Sequence, residues 1–258
     1  MAETAAAGEL AADDRMPEGF VQLLEADPEL ARGIDPNRIQ EISRGLYARV
    51  VETRRGPWCP AEALTAEDGE PIGLLVLDGL LVREASVGEY PTAELLGPGD
   101  LLRAWEDRGA EVLLPRRVRW DALTDARFAV IDHPLAVRAA QWPEIFALLV
   151  ERAARRAERL VVMQAIGHLH RVDERLLALL WCLAERWGRM VPDGVLVTLN
   201  LPHRTLAGMI GARRPTVTTA LGQLISRGDI VRRRDGSWLL RRRPADTQPL
   251  AEPGRSAV

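Results

Sequence analysis

Apolar residues recur at i, i+3, i+4 and i+7 at Val217, Ala220, Leu221 and Leu224, the buried stripe of an amphipathic helix. Just upstream, Leu206, Ala207 and Ile210 give a shorter helix one apolar face, and Pro202 suits its first turn. Gly211 lies between the two and can take a positive φ at no steric cost, which a sharp helix-to-helix turn needs. The pattern predicts a helix-turn-helix whose second helix covers about 214–226. A plain αα-hairpin with a solvated outer face fits these positions as well. Beyond Ser226 the chain reads as a helix end, a strand, an Asp235-Gly236 turn and a second strand ending at Leu240. A hairpin directly after a helix-turn-helix is a wing.

The rest of the chain changes character several times. Residues 17–55 read as helical, with starts near Asp27-Pro28 and Asp35-Pro36. Residues 56–132 hold short apolar runs punctuated by Gly, Pro and Asp. Ile72–Leu77 and Leu80–Glu84 flank Asp78-Gly79, a second hairpin signal; Gly97-Pro98-Gly99-Asp100 is a turn, and Leu123–Ile131 a later strand. Strands this short and this closely spaced predict a barrel or sandwich. Gln141 to Gly167 then reads as one long helix with Ile145, Leu149, Ala153, Ala157, Leu160 and Met163 along a single stripe. About 25 residues at 1.5 Å each span roughly 38 Å. Such a stripe suits packing against a symmetry mate, or against the chain's own barrel. Residues 171–188 form one more helix, rich in Leu and Trp.

The predicted class is α+β: an N-terminal jelly-roll-like β-barrel sensor domain (17–138), a long dimerisation helix (139–168) and a C-terminal winged helix-turn-helix (169–243). Residues 1–16, rich in Ala and acid, and 244–258, rich in Pro and polar residues, read as disordered.

Charge sharpens this division. Residues 198–243 carry ten arginines against Asp229 and Asp235, a net of +8; the whole chain is −3, so the remainder is −11. A basic module on an acidic body is the footprint of phosphate binding. All 34 basic residues are arginine, so genomic composition accounts for the residue type but not for the clustering. The N-terminus has no basic stretch followed by an apolar one, and the longest apolar run, Leu176–Ala184, is too short to cross a bilayer. Cys59 and Cys182 make no disulfide framework and are too few for a four-thiolate cluster. These features point to the cytoplasm and to no membrane partner. His168 and His170 are two apart and so do not share a helical face, which is poor metal spacing. With no phosphate-binding Gly-rich loop and no Gly-x-Ser-x-Gly elbow, neither an enzyme nor a bound cofactor is expected. Haem ligation would need His133, His168 or Cys59, and their spacing does not favour it over structural roles.

The order barrel, long helix, helix-turn-helix, wing resembles the Crp–Fnr family of bacterial transcription regulators. The resemblance covers roughly residues 30–243 and is sharpest over Leu206–Leu221, Leu224 and Gly228-Asp229-Ile230. In the barrel it rests on Leu77-Asp78-Gly79, Leu96–Leu102 and Ala122–Ile131. It implies a homodimer that reads a palindromic operator in double-stranded DNA. RNA polymerase and a small-molecule effector are left as open partners. The family usually opens the recognition helix with Ser-Arg-Glu, followed by an Arg one turn later. Here those positions hold Arg213, Arg214 and Pro215, then Thr219, so the leading Arg is kept while the acidic reader and later Arg are lost.

The expected DNA contacts are Arg214 to a guanine edge, Thr218 and Thr219 to a thymine methyl or phosphate, and Arg204, Arg213, Thr216, Arg232, Arg233 and Arg234 elsewhere along the duplex. The dimer face is expected at Ile145, Leu149, Ala153, Leu160 and Met163. Cyclic-nucleotide binders of the family carry Gly-Glu after the Gly-Asp turn for the ribose, and Arg-Ser or Arg-Thr for the phosphate. This chain has Leu101-Leu102-Arg103-Ala104-Trp105 after that turn, and Arg116 is followed by Arg117. Arg103, Trp105 and Arg116 mark the expected effector pocket, with Trp105 and Trp120 large enough to fill it, and no cyclic-nucleotide response is expected. The competing reading is a ligand sensor or adaptor whose winged helix meets a partner protein. Placing +8 at a desolvated protein interface weighs against it.

Overall fold

The computed structural model describes residues 19–61, 64, 71–89, 91–103, 113–241 and 243–244. The disorder expected for 1–16 and for the tail beyond 244 lies outside these residues, as does Trp105. By its internal contacts the chain divides into two compact units: 1–81, 96–110 and 120–154 form one, and 82–95, 111–119 and 155–258 the other.

The first unit opens with β1 (Phe20–Gln22), helix α1 (Leu23–Ala26) and a 3-10 turn at Pro28–Ala31. Helix α2 (Pro36–Gly45) starts where expected, because Asp35 accepts from the Asn37 amide at 2.9 Å and Pro36 occupies the first turn. Tyr47–Thr53, expected to be helical, is instead strand β2. Its buried positions, Ala48 and Val51, are three apart and mimic a helical stripe, but Tyr47, Val50, Val51 and Thr53 are strand formers.

Strands β3 (Gly56–Trp58), β4 (Gly73–Asp78), β5 (Leu81–Ser86), β6 (Thr92–Leu96), β7 (Leu101–Leu102), β8 (Arg117–Ala122) and β9 (Ala126–Ile131) follow. Two sheets result, in the orders β1-β2-β9-β4-β7 and β3-β8-β5-β6, and among the described residues they do not close on themselves. Asp78-Gly79 therefore joins strands of different sheets and is not the two-residue hairpin expected. Leu80 turns away, donating to Thr124 Oγ1 at 3.0 Å and accepting from the Leu123 amide at 2.8 Å. Gly79 is needed there: at φ +91° a Cβ would lie 2.5 Å from the Asp125 carbonyl oxygen. The Gly97–Asp100 turn forms as expected, with Asp100 Oδ2 accepting from the Gly97 amide at 2.9 Å.

Strands β4 and β9 bury both faces. Leu75 and Ala129 face a cluster with Leu30, Ile42, Leu46, Leu135, Trp142 and Ile145. Leu74, Val76, Phe128 and Val130 face a second cluster with Leu81, Leu96 and Trp120. Trp58 stacks on Phe128 at 4.5 Å and meets Trp120 edge-on at 6.1 Å, which makes Trp120 a core residue. Helix α3 (His133–Ala139), capped by Asp132, leads into α4 (Pro143–Gly167), the long helix expected from the stripe. Within the first unit Arg152 forks onto Asp27, with Nη2 to Oδ1 at 2.9 Å.

The second unit takes in all but the first residue of β5 and all but the last of β6, and it contains α5 (Val172–Trp187), a hairpin of β10 (Gly188–Val191) and β11 (Gly194–Val197), α6 (His203–Met209), α7 (Arg214–Ser226), β12 (Ile230–Arg232) and β13 (Trp238–Leu240). The β10–β11 hairpin turns at Pro192-Asp193 and completes a sheet of order β10-β11-β13-β12. Leu176, Leu179, Leu180 and Leu183 of α5 are buried, as are Val217, Ala220, Leu221 and Leu224 of α7. With the jelly-roll-like β domain, the long helix and the winged helix-turn-helix, the fold is the α+β class expected.

Candidate nucleic-acid interface

Helix α6 buries Thr205, Leu206, Ala207 and Met209. Its end is turned by Gly211 at φ +61°, and the Ala212 amide closes back on the Ala207 carbonyl at 2.9 Å. Arg175 of α5 fixes the same turn, with Nη1 donating to the Ile210 carbonyl at 3.3 Å. Helix α7 then starts at Arg214 with Pro215 in its first turn and covers the 214–226 expected.

Its buried stripe leaves Arg213, Arg214, Thr216, Thr218 and Thr219 exposed, all at or near the helix N-terminus. Thr218 Oγ1 donates to the Arg214 carbonyl at 3.2 Å, and Thr219 Oγ1 to the Pro215 carbonyl at 3.3 Å. With these protons engaged, the two side chains can offer a partner only a methyl group and oxygen lone pairs. His203 Nδ1 meets Thr218 Oγ1 at 3.0 Å, which ties α6 to the outer face of α7. Gln223 was not singled out from the sequence, yet it is exposed one turn after Thr219 and two after Thr216. The spacing 216, 219, 223 was its signal, and its amide is suited to an adenine edge.

The wing forms as expected but with a different turn. The Arg233 backbone amide donates to the Ser237 carbonyl at 2.9 Å, which leaves three residues in the loop rather than two. Asp235 Oδ1 accepts from the Ser237 amide and hydroxyl at 2.9 and 2.7 Å. The three wing arginines divide. Arg233 and Arg234 are exposed, as is Arg204 of α6. Arg232 is half-buried: its guanidinium lies 4.1 Å from the Trp238 ring centroid, Nη2 donates to Asn200 Oδ1 at 2.8 Å, and burial pushes its pKa down.

Arg227, at the C-terminal cap of α7, is a clasp the sequence reading missed. Its Nη1 donates to Asp173 Oδ2 at 2.7 Å and its Nε to Asp229 Oδ2 at 2.8 Å. Arg171 forks onto Asp173 at 3.0 and 3.1 Å. The recognition helix is thereby pinned to the start of α5. The Arg171 and then the Arg227 hydrogen bonds hold the Asp173 carboxyl at about 2, below its ordinary 3.8, although its burial acts in the opposite sense.

A carboxylate with a lowered folded-state pKa stabilises the fold above its unfolded pKa, and that contribution fades as pH falls from about 4 to about 2. Arg171 is 62% exposed, so screening limits the contribution to about 1–2 kcal/mol. The stability gap between wild type and Asp173→Asn, taken from urea midpoints, should therefore narrow by most of that amount between pH 6 and pH 2.5. An unchanged gap would show that the clasp contributes nothing.

The expected dimer stripe is divided by the fold. Ile145 is fully buried in the first unit's core, Leu149 and Met163 are half-buried, and Ala153 and Leu160 are exposed. The exposed apolar face of α4 is rotated from it and runs through Phe146, Val150, Ala157 and Val161. Beside the start of this face, the first unit has an apolar cavity of about 490 Å³ lined by Leu23, Ile72, Leu101, Phe146 and Val150. Arg103 and Arg116, expected at the effector pocket, are both exposed. Among the described residues no group of three or more His, Cys, Asp or Glu is placed to hold a metal ion, and no helix is long and apolar enough to cross a membrane.

A helix-turn-helix with a basic, hydroxyl-rich outer face, flanked by a wing, makes this a DNA-binding transcription regulator. Residues 174–245 match the Crp-like helix-turn-helix domain. The chain is 28% identical to the CRP-like cAMP-activated global transcriptional regulator of Mycobacterium tuberculosis, over 87% of this chain and 95% of that one. Its fold is similar to that of a CooA mutant from Carboxydothermus hydrogenoformans (TM-score 0.59, 17% identity, 88% and 94% of the two chains). FixK2 from Bradyrhizobium japonicum is also similar (TM-score 0.55, 18% identity, 76% and 93%). Residues 174–245 thus carry the Crp-like helix-turn-helix domain that the motifs implied, and most of the chain is similar to a CRP-like regulator.

Proposed function

We propose that the chain acts in the cytoplasm as a homodimer that reads a palindromic operator, with α7 in the major groove and Arg233 and Arg234 on phosphates. The observation that carries this reading is the outward display of Arg213, Arg214, Thr216 and Thr219 on a helix whose other face is wholly buried. Residues 17–138 would form the sensor module, 139–168 the dimerisation helix and 169–243 the reader. Arg213 and Arg204 supply phosphate contacts, and Arg214 and Gln223 reach base edges. Arg232 serves the wing's own packing before any phosphate. Selection of bound duplexes from a random pool tests the whole reading: two inverted half-sites one helical turn apart are expected, and an unstructured pool would overturn it.

The Mycobacterium tuberculosis relative is named as cAMP-activated. We propose that this chain is not. A buried cyclic phosphate needs its charge paired and its ribose hydroxyls satisfied. The acid of the Gly99-Asp100 turn is buried and accepts from the Gly97 amide, and the next described positions are Leu101, Leu102 and Arg103. Calorimetry with cyclic AMP and cyclic GMP should give no saturable heat in the micromolar range. One site per subunit, lost in Arg116→Ala, would show the opposite.

A further inference from the structure

The second unit holds a cavity of about 440 Å³, within the roughly 300–1,000 Å³ of small-molecule sites. One wall is the helix-turn-helix turn itself, Met209, Ile210 and Gly211. Leu95, Met163 and Leu183 make other walls aliphatic. Four arginines line it, Arg83, Arg159, Arg175 and Arg186, with Glu94 as the one acid among the lining residues. Glu94 is already shared. Its Oε2 is 2.9 Å from Arg83 Nη2, and Arg156 forks onto it at 2.7 and 2.9 Å. Burial pushes the Arg83 pKa down, the mark of a cation in a poorly solvated place.

A cation would be repelled here, and a polyol would leave hydroxyls against aliphatic walls. An anion on an apolar body satisfies both surfaces. We propose that this cavity binds an amphipathic organic carboxylate, and that this ligand sets DNA binding. The clause on DNA rests on the regulator reading above. Arg175 links the two events, since it lines the cavity while its Nη1 holds the Ile210 carbonyl at 3.3 Å and its Nε the Leu169 carbonyl at 2.6 Å. A carboxylate drawing on that guanidinium competes for the bond that fixes the turn ahead of α7.

The full chain is titrated calorimetrically with decanoate, with decanol as the uncharged control and with inorganic phosphate as the bare anion. Decanoate should show one saturable site per chain, decanol at least tenfold weaker binding, and phosphate none. Ala85→Trp, which fills the cavity from the β5 wall, should abolish the decanoate heat. In a Cys59→Ser background, decanoate should slow maleimide labelling of Cys182, another lining residue, at least fivefold. It should also shift affinity for the selected duplex at least threefold, in the wild type and not in Ala85→Trp. Equal binding of decanol and decanoate, or decanoate binding that survives Ala85→Trp, overturns the site. Duplex binding that ignores bound decanoate overturns its regulatory role and leaves the regulator reading standing. Failure of all duplex binding with the decanoate site intact removes the regulator reading alone.

Discussion

Val150→Glu is expected to convert the proposed dimer to monomers and to drop affinity for the selected duplex to its non-specific level, a loss of about a thousandfold or more. Val150 is 50% exposed at the middle of the apolar face formed by Phe146, Ala157 and Val161. In a two-fold pairing of α4, each face meets its own copy, so one substitution introduces two carboxylates into a desolvated seam. On the proposed reading, the two recognition helices would then lose the separation of about 34 Å needed to enter successive major grooves. Sedimentation at micromolar concentration and a binding titration check the two effects together. A variant that stays dimeric and binds normally would place the interface elsewhere. Ile145→Glu is not an equivalent test, because Ile145 is fully buried in the first unit's core and its substitution would unfold that core.

Arg214→Ala should cost about 1–3 kcal/mol on the selected duplex, a roughly 5- to 150-fold rise in Kd, and relax specificity at one base pair in each half-site. Arg214 is exposed at the first position of α7 and its guanidinium suits a bidentate contact with guanine. Arg233→Ala provides the contrast. Its charge is exposed on the wing, so its loss should weaken all sequences about equally and flatten the salt dependence by about one counterion. Competition against single-base variants at two salt concentrations separates the two roles. Equal, sequence-independent losses for both variants would reject them.

Helix-turn-helix recognition needed only local information. The stripe Val217, Ala220, Leu221 and Leu224, the positive-φ Gly211 and the crowd of exposed Arg and Thr all lie within one short segment, and the structure keeps each in its expected place. The long α4 was equally plain, since a pattern 25 residues long leaves little ambiguity. The Arg227 clasp was not legible. Asp173, Arg227 and Asp229 come together only when α5 packs on α7, and nothing in their spacing marks them as partners.

Where the outcome depended on which surface an element meets, the sequence alone was insufficient. Asp78-Gly79 has hairpin chemistry, yet its flanking strands join different sheets, because β4 is committed to β9 and β7. Strand β2 buries two residues three apart, so its local pattern imitates a helix, and only pairing with β1 and β9 decides otherwise. On α4 several apolar stripes compete. Burial of Ile145 in the first unit's core assigned one of them to the interior and left Phe146, Val150 and Val161 outside. Arg232 reads like its neighbours Arg233 and Arg234, but the strand register sets it over Trp238. Periodicity, turn chemistry and charge act over a few residues and were set by the sequence itself. Which face is covered, and which charge stays in water, depends on segments far apart in the chain and was decided by tertiary packing.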